Sequence, residues 1–219
     1  MEMWKRILDE LAPYQAQLVA VSKTKPVEQI QALYDLGQRD FGENRVQELV
    51  EKAAVLPPDI RWHLIGHLQT NKVKYIAPFV HLIHSVDSPR LLQEIEKQAR
   101  QEERQIGCLL QFKIAEEETK YGLELETAVE LLESDAFAEY TGVRIEGVMG
   151  MATFTEEEEQ VRREFKNLST IFQQLKARFF ADNPAFRTIS MGMSGDYRIA
   201  LEEGSTMLRI GSLLFGVRG

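Results

Sequence analysis

The sequence predicts an α/β fold, a single (β/α)8 TIM barrel with an extra helix at its amino terminus. Short apolar segments alternate with amphipathic helical segments, a pattern typical of a parallel sheet, and the eight predicted strands are the number that closes such a barrel. No linker rich in proline, glycine or serine divides the 219 residues, so we expect one domain over 1–219. A doubly wound open sheet is the competing fold. It usually carries a glycine fingerprint after its first strand, where this sequence has SKTKP (22–26).

The first element is a helix predicted over residues 2–12, where apolar side chains recur at helical spacing. Its apolar face consists of Trp4, Ile7, Leu8 and Leu11. The predicted strands follow near 17–22, 39–43, 61–66, 81–86, 106–113, 143–150, 187–191 and 206–210. The predicted helices lie near 26–37, 44–55, 70–77, 88–104, 124–135, 156–181 and 195–203.

The charge and the cysteine content of the sequence argue against several classes of protein. The net charge of −8 argues against a general nucleic-acid or anionic-membrane binder. Cys108 is the only cysteine, which excludes an internal disulfide and a cysteine metal cluster, and its apolar surroundings predict a buried thiol. The sequence has no secretory signal or membrane-length apolar run, so we expect a cytoplasmic protein.

The four histidines do not form a recognisable metal motif. His63 and His67 are four residues apart in HLIGH, but the glutamate of the helical zinc motif is missing and the segment resembles a strand and turn. His81 and His84 are an odd number of residues apart, so they are not expected to share a strand face. We therefore predict no metal site.

Two cations are predicted to meet at one end of the barrel. Lys23 follows the first strand and shares a face with Val19, whereas Lys25 has the opposite parity. Arg209 lies in the last strand, which becomes the neighbour of the first when the barrel closes. Both Lys23 and Arg209 are then expected to point into the carboxyl end. Because two buried cations are costly without an anion, a phosphorylated ligand is expected there.

A phosphate site is predicted after the seventh and eighth strands, where TIM barrels often bind phosphate. The segments GMSGD (192–196) and RIGS (209–212) are rich in small residues that let backbone N–H groups approach an anion. A lysine beside a phosphate site suggests pyridoxal phosphate (PLP) held as a Schiff base.

Six segments, taken together, resemble the pyridoxal phosphate homeostasis proteins. They are AVSKTKP (20–26), FGENRVQE (41–48), WHLIGHLQTNK (62–72), HSVDS (84–88), SMGMSGDY (190–197) and RIGSLLFG (209–216). The resemblance covers essentially the whole chain in order. It implies a fold-type III PLP protein, similar to the barrel domain of alanine racemase.

The resemblance also implies roles for individual residues. Lys23 matches the Schiff-base lysine, and Asn44 matches a residue that lines the cofactor. Arg209 matches the arginine that faces the pyridine nitrogen. Arginine stays protonated and disfavours a second proton on that nitrogen, which leaves the ring a weaker electron sink. Arg45 departs from the aromatic residue that many relatives carry at its position.

The phosphate ligands implied by the resemblance lie in the two small-residue segments. Ser194, at the end of SMGMS, matches a phosphate ligand. Gly211 and Ser212 match the phosphate-binding turn after the eighth strand.

The resemblance implies a protein that holds, buffers and delivers PLP without robust catalysis, with PLP-dependent apoenzymes as recipients. In alanine racemase a second domain of the partner subunit supplies a tyrosine base. This chain ends at Gly219, just past the last predicted strand, so we expect a monomer without that domain. Two alternatives remain open. One is an amino-acid racemase with Tyr197, His67 or Lys120 as its second base, and the other is a TIM-barrel enzyme acting on another phosphorylated metabolite.

Overall fold

Eight parallel strands close into a barrel, as the alternating pattern predicts. The computed structural model describes residues 2–116 and 121–216. The strands are β1 Gln17–Val21, β2 Asp40–Glu43, β3 Arg61–Leu64, β4 Leu82–Val86, β5 Ile106–Gln111, β6 Val143–Met149, β7 Thr188–Ser190 and β8 Met207–Ile210. Each strand pairs with the next, and β8 pairs back with β1, so the doubly wound open sheet is excluded.

Helices surround the barrel and connect its strands. They are α1 Glu2–Leu11, α2 Val27–Asp35, α3 Val46–Ala53, α4 Val73–Ile76, α5 Pro89–Gln101, α6 Leu125–Glu133, α7 Asp135–Ala138, α8 Glu158–Phe179, α9 Tyr197–Glu202 and α10 Ser212–Phe215. The predicted amino-terminal helix is confirmed. Its Ile7 and Leu11 are buried, and Trp4 packs against the same core while its indole donates to Gln38 at 3.0 Å.

The structure differs from the predicted helices in two places. The helix predicted over 124–135 is divided at Ser134, whose extended backbone interrupts the helical path. The Ser134 hydroxyl accepts the N–H of Phe137 at 3.2 Å and so caps the start of α7. The helix predicted over 70–77 consists of a 3₁₀ turn, Thr70–Lys72, followed by the single turn of α4.

Most of the hydrophobic core lies between the strands and the surrounding helices. A smaller apolar cluster fills part of the barrel interior and consists of Val19, Leu82, Leu109, Met149 and Met207. Cys108 is buried, as predicted, and burial raises the pKa of its thiol. Of the described helices, none is both long and apolar enough to cross a membrane.

The closure between β8 and β1 positions the two predicted cations. Arg209 pairs with Val19, which belongs to the interior cluster. Lys23 lies further along the first strand's direction, beyond its last residue, Val21. Because the strands are parallel, their carboxyl ends lie at the same end of the barrel, where the following loops form the mouth of a cavity.

Candidate functional site

A cavity of about 950 Å³ opens between the loops that follow the strands at this end. Its volume lies in the range of small-molecule and cofactor sites. The structure brings all six residues singled out in the sequence to its lining: Lys23, Asn44, Ser194, Arg209, Gly211 and Ser212. They come from four loops or strand ends that are distant in sequence, so barrel closure is what assembles them.

The turn that carries Lys23 is held by several hydrogen bonds, and the one from Lys52 is buried. The carbonyl of Ser22 accepts from the ammonium of Lys52 at 2.7 Å and from the N–H of Lys25 at 3.0 Å. The N–H of Thr24, which has a positive φ of 64°, donates to the Glu48 carboxylate at 2.5 Å. The backbone on both sides of half-buried Lys23 is therefore fixed.

Lys25 also lines the cavity, but its ammonium is engaged elsewhere. It donates to the carbonyl oxygens of Phe215 and Gly216 at 3.1 and 3.2 Å. These contacts tie the turn after β1 to the end of α10. Lys25 thus has a structural role in joining two walls of the cavity.

Arg209 forms a buried, positively charged part of the cavity wall. It is 3% exposed, and its guanidinium donates to the Ser190 hydroxyl at 2.5 Å and to the Gly150 carbonyl at 3.0 Å. Burial lowers the pKa of Arg209 to about 10, while the Asp196 carboxylate acts in the opposite direction. Arg209 therefore remains a hydrogen-bond donor at neutral pH.

Small residues bring backbone and hydroxyl groups together in the loops that follow β7 and β8. The Ser194 hydroxyl lies 3.4 Å from the N–H of Gly211 and accepts from it. A side chain at Gly211 would approach the Val21 carbonyl to 3.1 Å. Gly192 has a φ of +95°, and a Cβ there would lie 2.6 Å from that of Ala200. Because the Ser194 hydroxyl accepts from Gly211, its own proton is available to an anion in the cavity.

Asn44 lies between this cavity and a second, shallower cleft of about 560 Å³. The backbone around Asn44 is closely packed, because a Cβ at Gly66 would lie 2.3 Å from the Asn44 carbonyl oxygen. Arg45, the position that departs from many relatives, lines only the second cleft. Arg45 therefore lies beside the main cavity and is not part of its wall.

Two of the three proposed second bases, Tyr197 and His67, do not line the cavity. The Tyr197 hydroxyl donates to Glu10 at 2.7 Å, so this side chain contacts the amino-terminal helix. His67 pairs with Asp87 at 3.0 Å and lines the second cleft. Tyr197 and His67 are therefore not placed to act as a second base in the cavity, which corrects the sequence-based suggestion. Lys120 lies outside the described residues.

Three of the histidines lie near one another although no sequence motif links them. His81 precedes β4, where strand alternation does not apply, and its ring lies 5.6 Å from that of His63, which also contacts His84. Ligand atoms of His63, His81 and Asp40 lie within 4.8 Å of one another. However, the Asp40 carboxylate already accepts two hydrogen bonds from Arg61. That competing cation makes the cluster a poor metal centre.

Sequence reasoning missed the polar groups beneath the cavity. Ser190 contacts Arg209 directly, and His84 contacts Ser190 at 2.9 Å. The signal that could have found them is their position within predicted strands that are otherwise apolar. A polar side chain on the inner face of such a strand needs a partner inside the barrel.

Comparisons with known proteins agree on the family. The family described as "Alanine racemase, N-terminal domain" matches residues 3–219. The pyridoxal phosphate homeostasis protein of Aquifex aeolicus is 42% identical, with 93% of this chain and 87% of that protein covered. The human protein of the same name is 36% identical, with 95% of this chain and 79% of that protein covered.

Solved structures support the same relationship. PipY of Synechococcus elongatus PCC7942 without PLP superposes with a TM-score of 0.90 at 35% identity, covering 98% of this chain and 99% of PipY. The PLP-bound structure of PipY gives 0.87 at 34% identity, with the same coverage. Alanine racemase of Bartonella henselae, at 17% identity and a TM-score of 0.71, covers 98% of this chain and 57% of its own and shares the fold. The chain therefore belongs to the pyridoxal phosphate homeostasis protein family, built on the barrel fold of the alanine racemase amino-terminal domain.

Proposed function

We propose that this protein binds PLP in the cavity, holds it as a Schiff base on Lys23, and serves intracellular PLP homeostasis. The observation that carries the proposal is the convergence of Lys23, Arg209 and the Ser194–Gly211 pair on one cavity. This set combines an amine, a buried ring-facing donor and an anion cradle. PLP presents a matching aldehyde, pyridine nitrogen and phosphate.

The chemistry of the lining residues matches the groups of PLP. The aldehyde of PLP condenses with a lysine amine and releases water, which gives a covalent but reversible attachment. The fixed turn around Lys23 presents its amine at the cavity. Ser194, Gly211 and Ser212 would hold the phosphate, while Asn44 would line the cofactor. Arg209 would donate to the pyridine nitrogen.

The relatives support this assignment. PipY, at 34% identity, has a structure with PLP bound, and the curated relatives are named for PLP homeostasis. We extend both properties to this chain. We also propose that residues 1–219 act as one PLP-binding TIM-barrel domain.

We further propose that the protein lacks robust catalysis. The two described candidates for a second base, Tyr197 and His67, contact Glu10 and Asp87 and do not line the cavity. Arg209 opposes protonation of the pyridine nitrogen and so weakens the ring as an electron sink. Both features favour holding the cofactor over extensive chemistry on an amino acid.

The proposed partners follow from the same role. PLP-dependent apoenzymes would receive the cofactor, and the protein would act as a cytoplasmic monomer. A net charge of −8 disfavours nucleic acid and anionic membrane as partners. Sequestering a reactive aldehyde until an apoenzyme takes it provides the physical rationale for such a carrier.

Absorbance and borohydride reduction of the purified protein test the proposal. We expect a visible PLP band, which borohydride fixes to Lys23 as found by peptide mapping, and loss of that adduct in Lys23→Ala. The matched control is Lys25→Ala, which removes a neighbouring amine and should retain the adduct. A wild-type protein that PLP cannot convert to a coloured form would contradict PLP binding and favour another phosphorylated ligand. Steady racemisation of an amino acid would contradict the non-catalytic role.

A further inference from the structure

A chain of buried polar side chains crosses the barrel interior beneath the cavity. Its members, here called the interior chain, lie on five different strands: Arg209, Ser190, His84, His63 and Asp40. Consecutive members lie within hydrogen-bond distance, at 2.5, 2.9, 2.8 and 3.0 Å. All are at most 4% exposed. The interior chain therefore connects the cavity to Asp40, the first residue of β2, through buried side chains.

The two ends of the interior chain set the direction of the hydrogen bonds. A guanidinium can only donate, so the Ser190 oxygen accepts from Arg209 and its own proton is left for Nδ1 of His84. A neutral His84 then carries its proton on Nε2. That proton is donated to Nδ1 of His63, and the Nε2 proton of His63 is donated to Asp40.

The reverse direction is unfavourable. If His84 carried its proton on Nδ1, its Nε2 would accept from Nδ1 of His63. The unprotonated Nε2 of His63 would then face the Asp40 carboxylate, and both of these groups are acceptors. Only the first arrangement lets all four hydrogen bonds form with both imidazoles neutral.

The surroundings keep the end charges in place. Burial lowers the pKa of His84 well below its ordinary value, and the nearby charge of Arg209 acts in the same direction. Burial opposes ionisation of Asp40, but hydrogen bonds from Arg61 and His63 outweigh it and hold the pKa of that carboxyl below its usual range. The interior chain thus runs from the Arg209 cation, through His84, which burial keeps neutral, to the Asp40 anion.

We propose that Ser190, His84, His63 and Asp40 are positioning residues that hold the Arg209 guanidinium in one orientation, with an N–H directed at the ring of the bound cofactor. This inference rests on the proposed binding of PLP. Two of the guanidinium nitrogens are occupied by Ser190 and the Gly150 carbonyl, which prevents rotation of the group. The carboxylate at the far end orients every dipole between them in favour of the charged guanidinium.

The first test does not need PLP. Nitrogen NMR of protein labelled with ¹⁵N-histidine should show both His63 and His84 as neutral Nε2–H tautomers at neutral pH. Ser190→Ala should leave the Nε2–H tautomer of His84 in place, because Asp40 fixes it through His63, but it should shift the Nδ1 resonance of His84, which loses its hydrogen-bond donor. The matched control, Ser85→Ala, removes a hydroxyl of the same strand as His84 that has no partner among the described residues, and it should leave both signals unchanged. An Nδ1–H tautomer at either histidine of the wild-type protein would overturn the proposal.

The second test measures the affinity for PLP and the visible spectrum of the bound cofactor. Loss of a hydrogen bond to a charged group predicts a PLP dissociation constant about tenfold higher in Ser190→Ala, with a shifted visible band. Ser190→Thr, which keeps the hydroxyl, should restore both, and Ser85→Ala should match the wild type. Equal constants and spectra for Ser190→Ala and Ser85→Ala would overturn the positioning role. A wild-type protein that binds no PLP would instead overturn the proposed function, whatever the tautomers.

Discussion

Removal of the buried ammonium of Lys52 should destabilise the protein and loosen the turn that carries Lys23. Lys52 lies on α3 with its side chain 7% exposed, and it contacts the fully buried Glu43 carboxylate at 2.7 Å. It also contacts Glu48 at 2.6 Å and the Ser22 carbonyl at 2.7 Å. One cation therefore serves two carboxylates and the backbone next to Lys23.

The magnitude follows from what Lys52→Met leaves behind. The methionine fills a similar volume, but the Glu43 carboxylate then keeps the hydrogen bond from the Ser22 hydroxyl, at 2.6 Å, and loses that from the ammonium. Removing one member of a buried ion pair costs about 3–5 kcal/mol. For a chain of this size each kcal/mol lowers Tm by about 2–4 °C, so a decrease of roughly 6–20 °C is expected.

The loss of stability in Lys52→Met should depend on pH, because the Glu43 carboxyl titrates. Burial raises the pKa of Glu43 above its ordinary value, although Lys52 and Ser22 act against this shift. The native state therefore binds the Glu43 proton more tightly than the unfolded state does, and this contribution lowers stability as pH rises through the window above 4.5. Without Lys52 the shift should grow, so the stability deficit of Lys52→Met should shrink as pH falls toward that window.

Urea denaturation of the wild type and Lys52→Met between pH 5 and 8 measures this effect. The matched control is Lys97→Met, because Lys97 is exposed and lies 3.8 Å from Glu94. Its free energy of unfolding should change by less than about 1 kcal/mol. A deficit for Lys52→Met no larger than that of the control, or one that does not depend on pH, would refute the reasoning.

Three further predictions concern separate features. Gly147→Ala should cost roughly 3 kcal/mol or more in urea denaturation, because φ is +152° and the new Cβ would lie 1.8 Å from the Thr188 carbonyl oxygen. Cys108 should react with a thiol reagent only as fast as the protein unfolds, since burial raises the pKa of its thiol; rapid labelling of the native protein would contradict this. Ser194→Ala should raise the dissociation constant of PLP about tenfold and weaken competition by inorganic phosphate, as measured by absorbance titration.

Much of the fold could be predicted because its signals are local. Each strand is a short apolar run, and each long helix repeats its apolar residues at helical spacing. The errors also have local causes. Ser134 caps α7 and divides a helix whose apolar pattern continues across it. The helix predicted over 70–77 begins with a 3₁₀ turn, a form that apolar periodicity does not distinguish from an α-helix.

The candidate site could be predicted only in part. Strand parity and barrel closure place Lys23 and Arg209 at one end, and small residues mark the anion cradle. Sequence spacing cannot show where a long side chain ends, which is why Tyr197 was wrongly considered a base although its hydroxyl reaches Glu10. It also cannot pair Ser190 with His84, which are 106 residues apart and meet only across the closed barrel.

The two buried polar networks differ in what the fold requires of them. The Lys52 cluster holds two carboxylates against one ammonium, so its loss leaves uncompensated charge and reduces stability. The interior chain instead has an acceptor for each bridging proton and opposite charges at its ends. Apolar side chains of similar volume can replace such a network with little loss of stability, and sometimes with a gain. The outer core would still hold the barrel together, so the interior chain serves Arg209 and its donor toward the cavity more than it serves the fold.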